Sequence, residues 1–303
     1  TKEDYREVLQ TIGTLSREFE SLTGGADGLS LLKVYDFTGE DISPLDSDTV
    51  KKYKRRGIRA LELVDDIGIV AVPDIHIQPI QTHDKKPPPR EEPVPCISGE
   101  IIKTAAPVKS TSTFELPPKF TEDDIYRVQA TLIQHCEERR DRIAIMDVPY
   151  AHAHNDKLGI SGVSAWRSRF DTRYAAFYYP WMKVVNPFSD TSGEIIRDIP
   201  PSGHIAGQYA RSDFAVGIHK APANSPLIWI QDVTCHINDE VHGIVNPLGI
   251  NAIRPFPGRG IRIYGARTMS SDPDWHYVNV QRLIMMIKKA VDVSIQWSVF
   301  EPN

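Results

Sequence analysis

Apolar residues recur along this chain with two periods. Tyr5, Val8, Ile12, Leu15, Phe19 and Leu22 are spaced by three and four, which predicts an amphipathic helix over residues 4–22. Gly24 and Gly25 follow, and glycine readily takes the left-handed conformation that ends helices. Residues 29–37 (LSLLKVYDF) read as a strand, and the β-branched run 67–72 reads as a strand buried on both faces. Thr121 is a good N-cap, with Glu122, Asp123 and Asp124 facing the positive end of the helix dipole. Phe120 and Ile125 stand where a hydrophobic staple needs them, and Ile125, Val128, Leu132, Ile133 and Cys136 form the buried stripe. Residues 142–149 (RIAIMDVP) predict another buried strand, and Val163, Trp166 and Phe170 mark a short helix. An aromatic strand spans 174–184 (YAAFYYPWMKV). Pro200 and Pro201 open a helix reaching about Phe214. Segments 227–233, 249–253 and 261–267 are strand-like. A last helix, 279–293, carries Val280, Leu283, Ile284, Ile287 and Val291 on one face, and 298–300 begins one more strand.

Alternation of strand and helix implies an α/β fold with a mostly parallel or mixed sheet covered by helices. It is interrupted at residues 75–119, rich in proline, threonine, serine and lysine, with Pro87, Pro88 and Pro89 at the centre. Proline removes donors and fixes φ, so this segment is neither core helix nor central strand, though 97–102 and 108–116 suit short edge strands. The expected organisation is therefore a discontinuous core, 1–74 with 120–303, and a Pro-rich, partly β insertion at 75–119 forming a surface segment or small subdomain.

At 303 residues and 41% hydrophobic content the chain can bury a substantial core. A net charge of −5 argues against a general nucleic-acid binder. No apolar run approaches the roughly 18–20 residues that cross a bilayer, and the charged start TKEDYREVLQ has no signal-peptide core, so synthesis in the cytoplasm is expected. Cys96, Cys136 and Cys235 give neither a disulfide framework nor a metal pattern; Cys136 suits a small buried hydrophobe.

Pro257–Gly260 lacks the spacing and the Lys-Ser/Thr of a phosphate-binding loop, so its glycines serve a tight turn between strands. His152 and His154, with Asp156 as a third ligand, form the best metal candidate, but their polar, Asn/Asp/Gly-containing surroundings favour a solvated loop. His236 and His242 have no spacing that suggests a shared site, and Cys235 beside His236 is not a dyad. Asp65, Asp66 and Asp74 lie near a strand end, where α/β enzymes place catalytic groups and where carboxylates also cap structure. The run 51–59 (KKYKRRGIR) reads as a solvated face. Arg254, Arg259, Arg262 and Arg267 crowd one segment; they suit pairing with carboxylates of a neighbour or, within the chain, with Asp272 and Asp274.

Three ordered blocks, 246–254 (NPLGINAIR), 257–271 (PGRGIRIYGARTMSS) and 275–283 (WHYVNVQRL), resemble the contractile tail sheath proteins of phages and extracellular injection particles. Upstream, 23–28 (TGGADG), 60–74, 142–149 and the AAFYYPW run at 175–181 resemble the same family. The resemblance implies a structural subunit that polymerises helically around an inner tube and shortens when a baseplate triggers it. Its implied partners are other sheath subunits, the inner tube protein and baseplate components, with no nucleic acid, no membrane insertion, no cofactor and no metal. It also implies a longer subunit with a C-terminal domain and strand-adding arms, so the 303 residues alone are expected to fold as monomers or to associate weakly. The rival readings are an α/β hydrolase-type enzyme using Asp65, Asp66 and Asp74, and a monomeric binding module with 75–119 as its recognition arm.

Overall fold

The computed structural model describes residues 28–79, 116–153, 159–187 and 195–300. The expected helix at 4–22, Cys96, and most of the expected insertion lie outside them. Where the sequence suggests a strand at 29–37, the chain forms a 3-10 turn, Leu29–Leu31, and a short helix, Val34–Thr38 (α1). The local polar chemistry decides this: Asp36 accepts the N–H of Lys33 at 2.8 Å across the first turn, and Gly39, at φ 77°, ends it. Helices Asp48–Lys54 (α2) and Gly57–Ala60 (α3) follow. Part of the basic run on them is paired within the chain, Lys54 with Asp46 at 2.8 Å, Arg59 with Asp41 at 2.5 Å and Arg56 with Asp36 at 3.7 Å.

Strand Ile69–Ala71 (β1) leads to a 3-10 turn, Pro73–His76, in which Ile75 and His76 are buried. The core therefore extends past the expected boundary at residue 75. Helix Glu122–Arg139 (α4) starts as its sequence predicts, Thr121 accepting the Asp124 N–H while Asp124 reaches back to the Thr121 N–H. It buries the predicted stripe and also Gln129 and His135. Strand Ile143–Asp147 (β2) is buried throughout. Helices Tyr150–Ala153 (α5) and Gly159–Arg167 (α6) precede strand Ala175–Tyr179 (β3).

The aromatic run 174–184 is two strands rather than one. Pro180, which cannot donate to a ladder, separates β3 from Met182–Val185 (β4), which joins a different sheet. Strand Ile196–Ile199 (β5) and helix Ser202–Ala215 (α7) follow. The expected strand 227–233 is reduced to its flanks, Ser225–Pro226 (β6) and Asp232–Val233 (β7). Then come helix Asp239–Val245 (α8), strands Ile250–Phe256 (β8) and Gly260–Tyr264 (β9), and helix Val278–Ile295 (α9). The last residues, Gln296–Phe300, continue as a 3-10 helix, not as the expected strand.

The main sheet has the order β1-β2-β3-β8-β9-β6. Its first four strands are parallel, and β9 and β6 add antiparallel. This is the expected α/β class with a mixed sheet. β1 is its edge, so only Val70 of that strand is buried and the run is not covered on both faces. A second, antiparallel sheet, β5-β4-β7, lies beside it. Trp181, between β3 and β4, is buried and donates its indole N–H to the Val148 carbonyl at 2.8 Å, tying the passage between sheets to the end of β2.

Candidate functional site

The recognisable C-terminal blocks fold into the β8–β9 hairpin. Phe256 pairs with Gly260 at its end, and the turn works because Gly258 and Gly260 take φ of 70° and 74°. Arg254 and Arg262 stand opposite each other in the ladder, an unfavourable like-charge pair unless each is satisfied elsewhere. Each has other partners. Arg254 is buried, and donates through Nε to the Ile237 carbonyl and through Nη2 to Asp239, both at 2.8 Å. It ties the hairpin to the start of α8, an internal role. Arg262 donates to the carbonyls of Arg259 at 2.9 Å and Asn224 at 2.8 Å, while Arg259 reaches the Asn224 side chain at 3.1 Å. Arg259 and Arg262 thus gather around one exposed asparagine. Arg267 lies 5.9 Å from the Tyr277 ring centroid. None of the four pairs with Asp272 or Asp274 among the described ion pairs; Asp272 instead accepts the Asp274 N–H at 3.0 Å and caps the turn Pro273–Trp275.

Beside this cluster runs a groove of about 340 Å³, lined by Ala223, Asn224, Tyr264, Ala266, Arg267 and Tyr277 among others. The loop between β6 and β7 follows Asn224 in the chain. Leu227 and Ile230 pack toward the core, whereas Ile228 and Trp229 project outward, Trp229 being 84% exposed at φ 64°. The strand-like reading of 227–233 missed this. The available signal was the unbroken apolar run LIWI behind a Ser-Pro pair, which alternation does not explain.

The carboxylates do not converge. Asp65 and Asp66 precede β1 and Asp74 follows it, so they sit at opposite ends of that strand. Asp65 pairs with Arg139 at 2.5 Å, and Asp66 is 3.9 Å from Lys289. The unusual carboxylate is one the sequence did not single out, Asp147, buried at the end of β2 and hydrogen-bonded to the Ser202 N–H at 2.8 Å. Burial pushes its carboxyl up to about 7, against the Ser202 hydrogen bonding that favours the anion. Gln129 donates to the Asp147 carbonyl at 2.7 Å and accepts from the Trp166 indole at 3.0 Å. Its amide nitrogen is 3.4 Å from the ring of His76, which burial pushes down to about 3 and so keeps neutral. These groups lock the core together.

His152 lies on α5, not in a loop, 3.2 Å from Glu122; His154 and Asp156 lie outside the described residues. His236 contacts Asp232 at 2.9 Å, and His242 contacts the Tyr264 carbonyl at 2.9 Å. Cys235 touches the His236 carbonyl at 4.0 Å. Cys136 is buried, and burial pushes its thiol up to about 12. Among the described residues no group of three His, Cys, Asp or Glu side chains could hold a metal ion, and no helix is long and apolar enough to cross a membrane.

Comparison with known proteins adds an independent finding. The sequence profile of the family described as phage tail sheath protein central domain matches residues 113–269, more than half of the chain. A Pseudomonas aeruginosa (strain UCBPP-PA14) prophage protein assigned as a major tail sheath protein is 24% identical over 216 residues, covering 67% of this chain and 51% of its own. The tail sheath protein of Vibrio phage KVP40 is 22% identical over 185 residues, 54% of this chain and 27% of its own. A solved sheath complex of an extracellular contractile injection system, PVC, in its contracted state, aligns at TM-score 0.49 and 32% identity over 58% of this chain and 47% of that one. The chain spans about half, or less, of the length of these relatives.

Proposed function

This chain belongs to the phage tail sheath protein family, and from that membership we propose that it is a structural subunit of a contractile sheath. The observation that carries the reading is the family match over residues 113–269, which runs through the whole of α4, the parallel strands β2, β3 and β8, and the hairpin. In this reading the subunits polymerise helically around an inner tube protein and meet baseplate components at one end. The polymer is made in the bacterial cytoplasm and belongs to a phage tail or a released tail-like particle.

Contraction needs no nucleotide. The free-energy difference lies between two sets of inter-subunit contacts, and a packed interior passes between them as a rigid body. The chain turns over no substrate, a view supported by Asp65, Asp66 and Asp74 failing to share a site. Arg259, Arg262 and Arg267 contact neighbouring subunits, whereas Arg254 serves its own chain.

Negative-stain microscopy of the full-length protein tests the assembly. Regular tubes are expected, and discrete particles at every concentration would overturn the reading. A reproducible hydrolase activity abolished by Asp66→Asn would restore the enzyme alternative.

A further inference from the structure

Trp229 combines two unusual features. Its indole is 84% exposed, and its backbone sits at φ 64°, a left-handed conformation that bulky side chains rarely adopt. The loop is held from both sides, Leu227 donating to the Ile261 carbonyl at 2.9 Å and Gln231 to the Lys183 carbonyl at 2.8 Å. The backbone on both sides of Trp229 is therefore anchored. Strain of this kind persists where surrounding structure imposes it, and it concentrates at functional positions.

The same chain carries a recess of matching chemistry. The groove of about 340 Å³ is lined by small residues, including Ala223 and Ala266, and by Tyr264, Tyr277 and Arg267, whose guanidinium lies 5.9 Å from the Tyr277 ring centroid. Tyr264 and Tyr277 are 37% and 52% exposed, so the aromatic walls are accessible. An indole entering there meets two aromatic side chains and a cation, the combination that gives the strongest cation–π contacts and recurs at binding hot spots. Trp229 does not fill this groove in its own chain, because it is exposed.

We propose that Trp229 of one copy seats in the Tyr264–Tyr277 groove of the next, giving sheath subunits a repeated knob-and-groove contact. The proposal rests on the polymer reading above and names a surface for it. Knob and groove are different patches of one molecule, so the contact is heterologous: each pair still offers one free knob and one free groove, and the contact propagates. A self-complementary contact would stop at a dimer. Arg259 and Arg262, gathered on Asn224 at the rim of the groove, then lie beside the incoming subunit.

The test places the photocrosslinking amino acid p-benzoylphenylalanine at position 229 of the 303-residue chain and illuminates it at high concentration. Expected are crosslinked dimers and higher species, with the crosslink mapping to peptides around Ala223 or to 264–277 of the second copy. Trp229→Gly relieves the left-handed backbone, so its thermal midpoint should be unchanged or higher while association weakens at least tenfold by sedimentation. Arg267→Ala and Ala223→Arg, checked for a native thermal transition, should weaken association from the other side. A mixture of Trp229→Gly and Ala223→Arg copies should pair into dimers without growing further. Crosslinks confined to the same chain, or mapping elsewhere on the neighbour, overturn the proposal and leave the polymer reading standing. Association undiminished in Trp229→Gly does the same. Failure of the full-length protein to form tubes, with no crosslinking at any concentration, removes the polymer reading and this contact with it.

Discussion

The carboxylate of Asp147 accepts the backbone N–H of Ser202 at 2.8 Å, joining the end of β2 to the first turn of α7. The first N–H groups of a helix have no partner within it, and Pro201, the N-cap here, supplies no side-chain acceptor. Asp147 therefore caps α7 from another element. Two effects compete at its carboxyl. Burial disfavours the anion, while the Ser202 hydrogen bonding and the positive helix end favour it. Burial wins, and the group titrates near 7 instead of 3.8.

A folded-state value above the unfolded one has a definite sign. The folded chain keeps the proton while the unfolded chain has lost it, so this group's stabilisation is full below about pH 4. It declines as pH rises through 7 and is constant above. The total change is at most a few kcal/mol. Asp147→Asn keeps an acceptor for the Ser202 N–H but cannot titrate. The difference in thermal midpoint, variant minus wild type, should therefore rise between pH 4 and pH 7 and then level off. A difference independent of pH would show that Asp147 does not titrate in this range.

Arg142 is fully buried beside β2, and its guanidinium donates to the carbonyls of Leu61 at 3.0 Å and Val64 at 2.7 Å, with Nε 2.7 Å from Asp141. It fastens the 61–64 segment to the core. Arg142→Met leaves these acceptors unmatched and should cost about 3 kcal/mol or more in urea unfolding. Arg142→Lys should recover little, because an ammonium cannot reproduce the fork. A loss below about 1 kcal/mol for the methionine variant would mean that water replaces the guanidinium without penalty.

What the sequence made legible follows from where periodicity dominates. The α4 stripe from Ile125 to Cys136 and the fully buried β2 and β3 strands were readable because burial dominates their composition. The errors fall where local polar chemistry or long-range pairing decides. Asp36 and Gly39 turned 29–37 into helix, and Pro180 divided an aromatic run between two sheets. The four arginines were visible as a group, but their division was not. Arg254 faces Asp239 and Ile237, fifteen and seventeen residues earlier, and no spacing rule encodes that pairing. Trp229 and Asp147 were hidden for the same reason: exposure of the first and capping by the second are tertiary properties.

Residues 80–115, which lie outside the described structure, carry the proline-rich composition that motivates an insertion on the exterior of the particle. The burial of Ile75 and His76 places the safe cut after Pro79. We propose that a short Gly/Ser bridge replacing 80–115 leaves the core intact, with one cooperative thermal transition close to that of the parent chain. Loss of that cooperative transition would show that the segment belongs to the core.

Arg282 is buried and forms a two-pronged contact with Asp213 of α7, Nη1 to Oδ1 at 3.0 Å and Nη2 to Oδ2. Its guanidinium also lies 4.9 Å from the Tyr209 ring, and the Tyr209 hydroxyl meets that of Tyr178 on β3 at 2.5 Å. A continuous polar path thus connects α9 through α7 to the main sheet. Beyond Met285 the helix is exposed, and the exposed contacts of Lys289, with the Asp65 carbonyl and with Asp66 3.9 Å away, add little. Arg282 is then the last strong fixed point of α9. Arg282→Met should speed amide exchange throughout 278–295 by at least about tenfold while α4 keeps its protection, because the effect is local opening. Lys289→Ala should change exchange little. If Arg282→Met leaves α9 as protected as before, the apolar contacts of Val278 and Met285 hold the helix without the arginine.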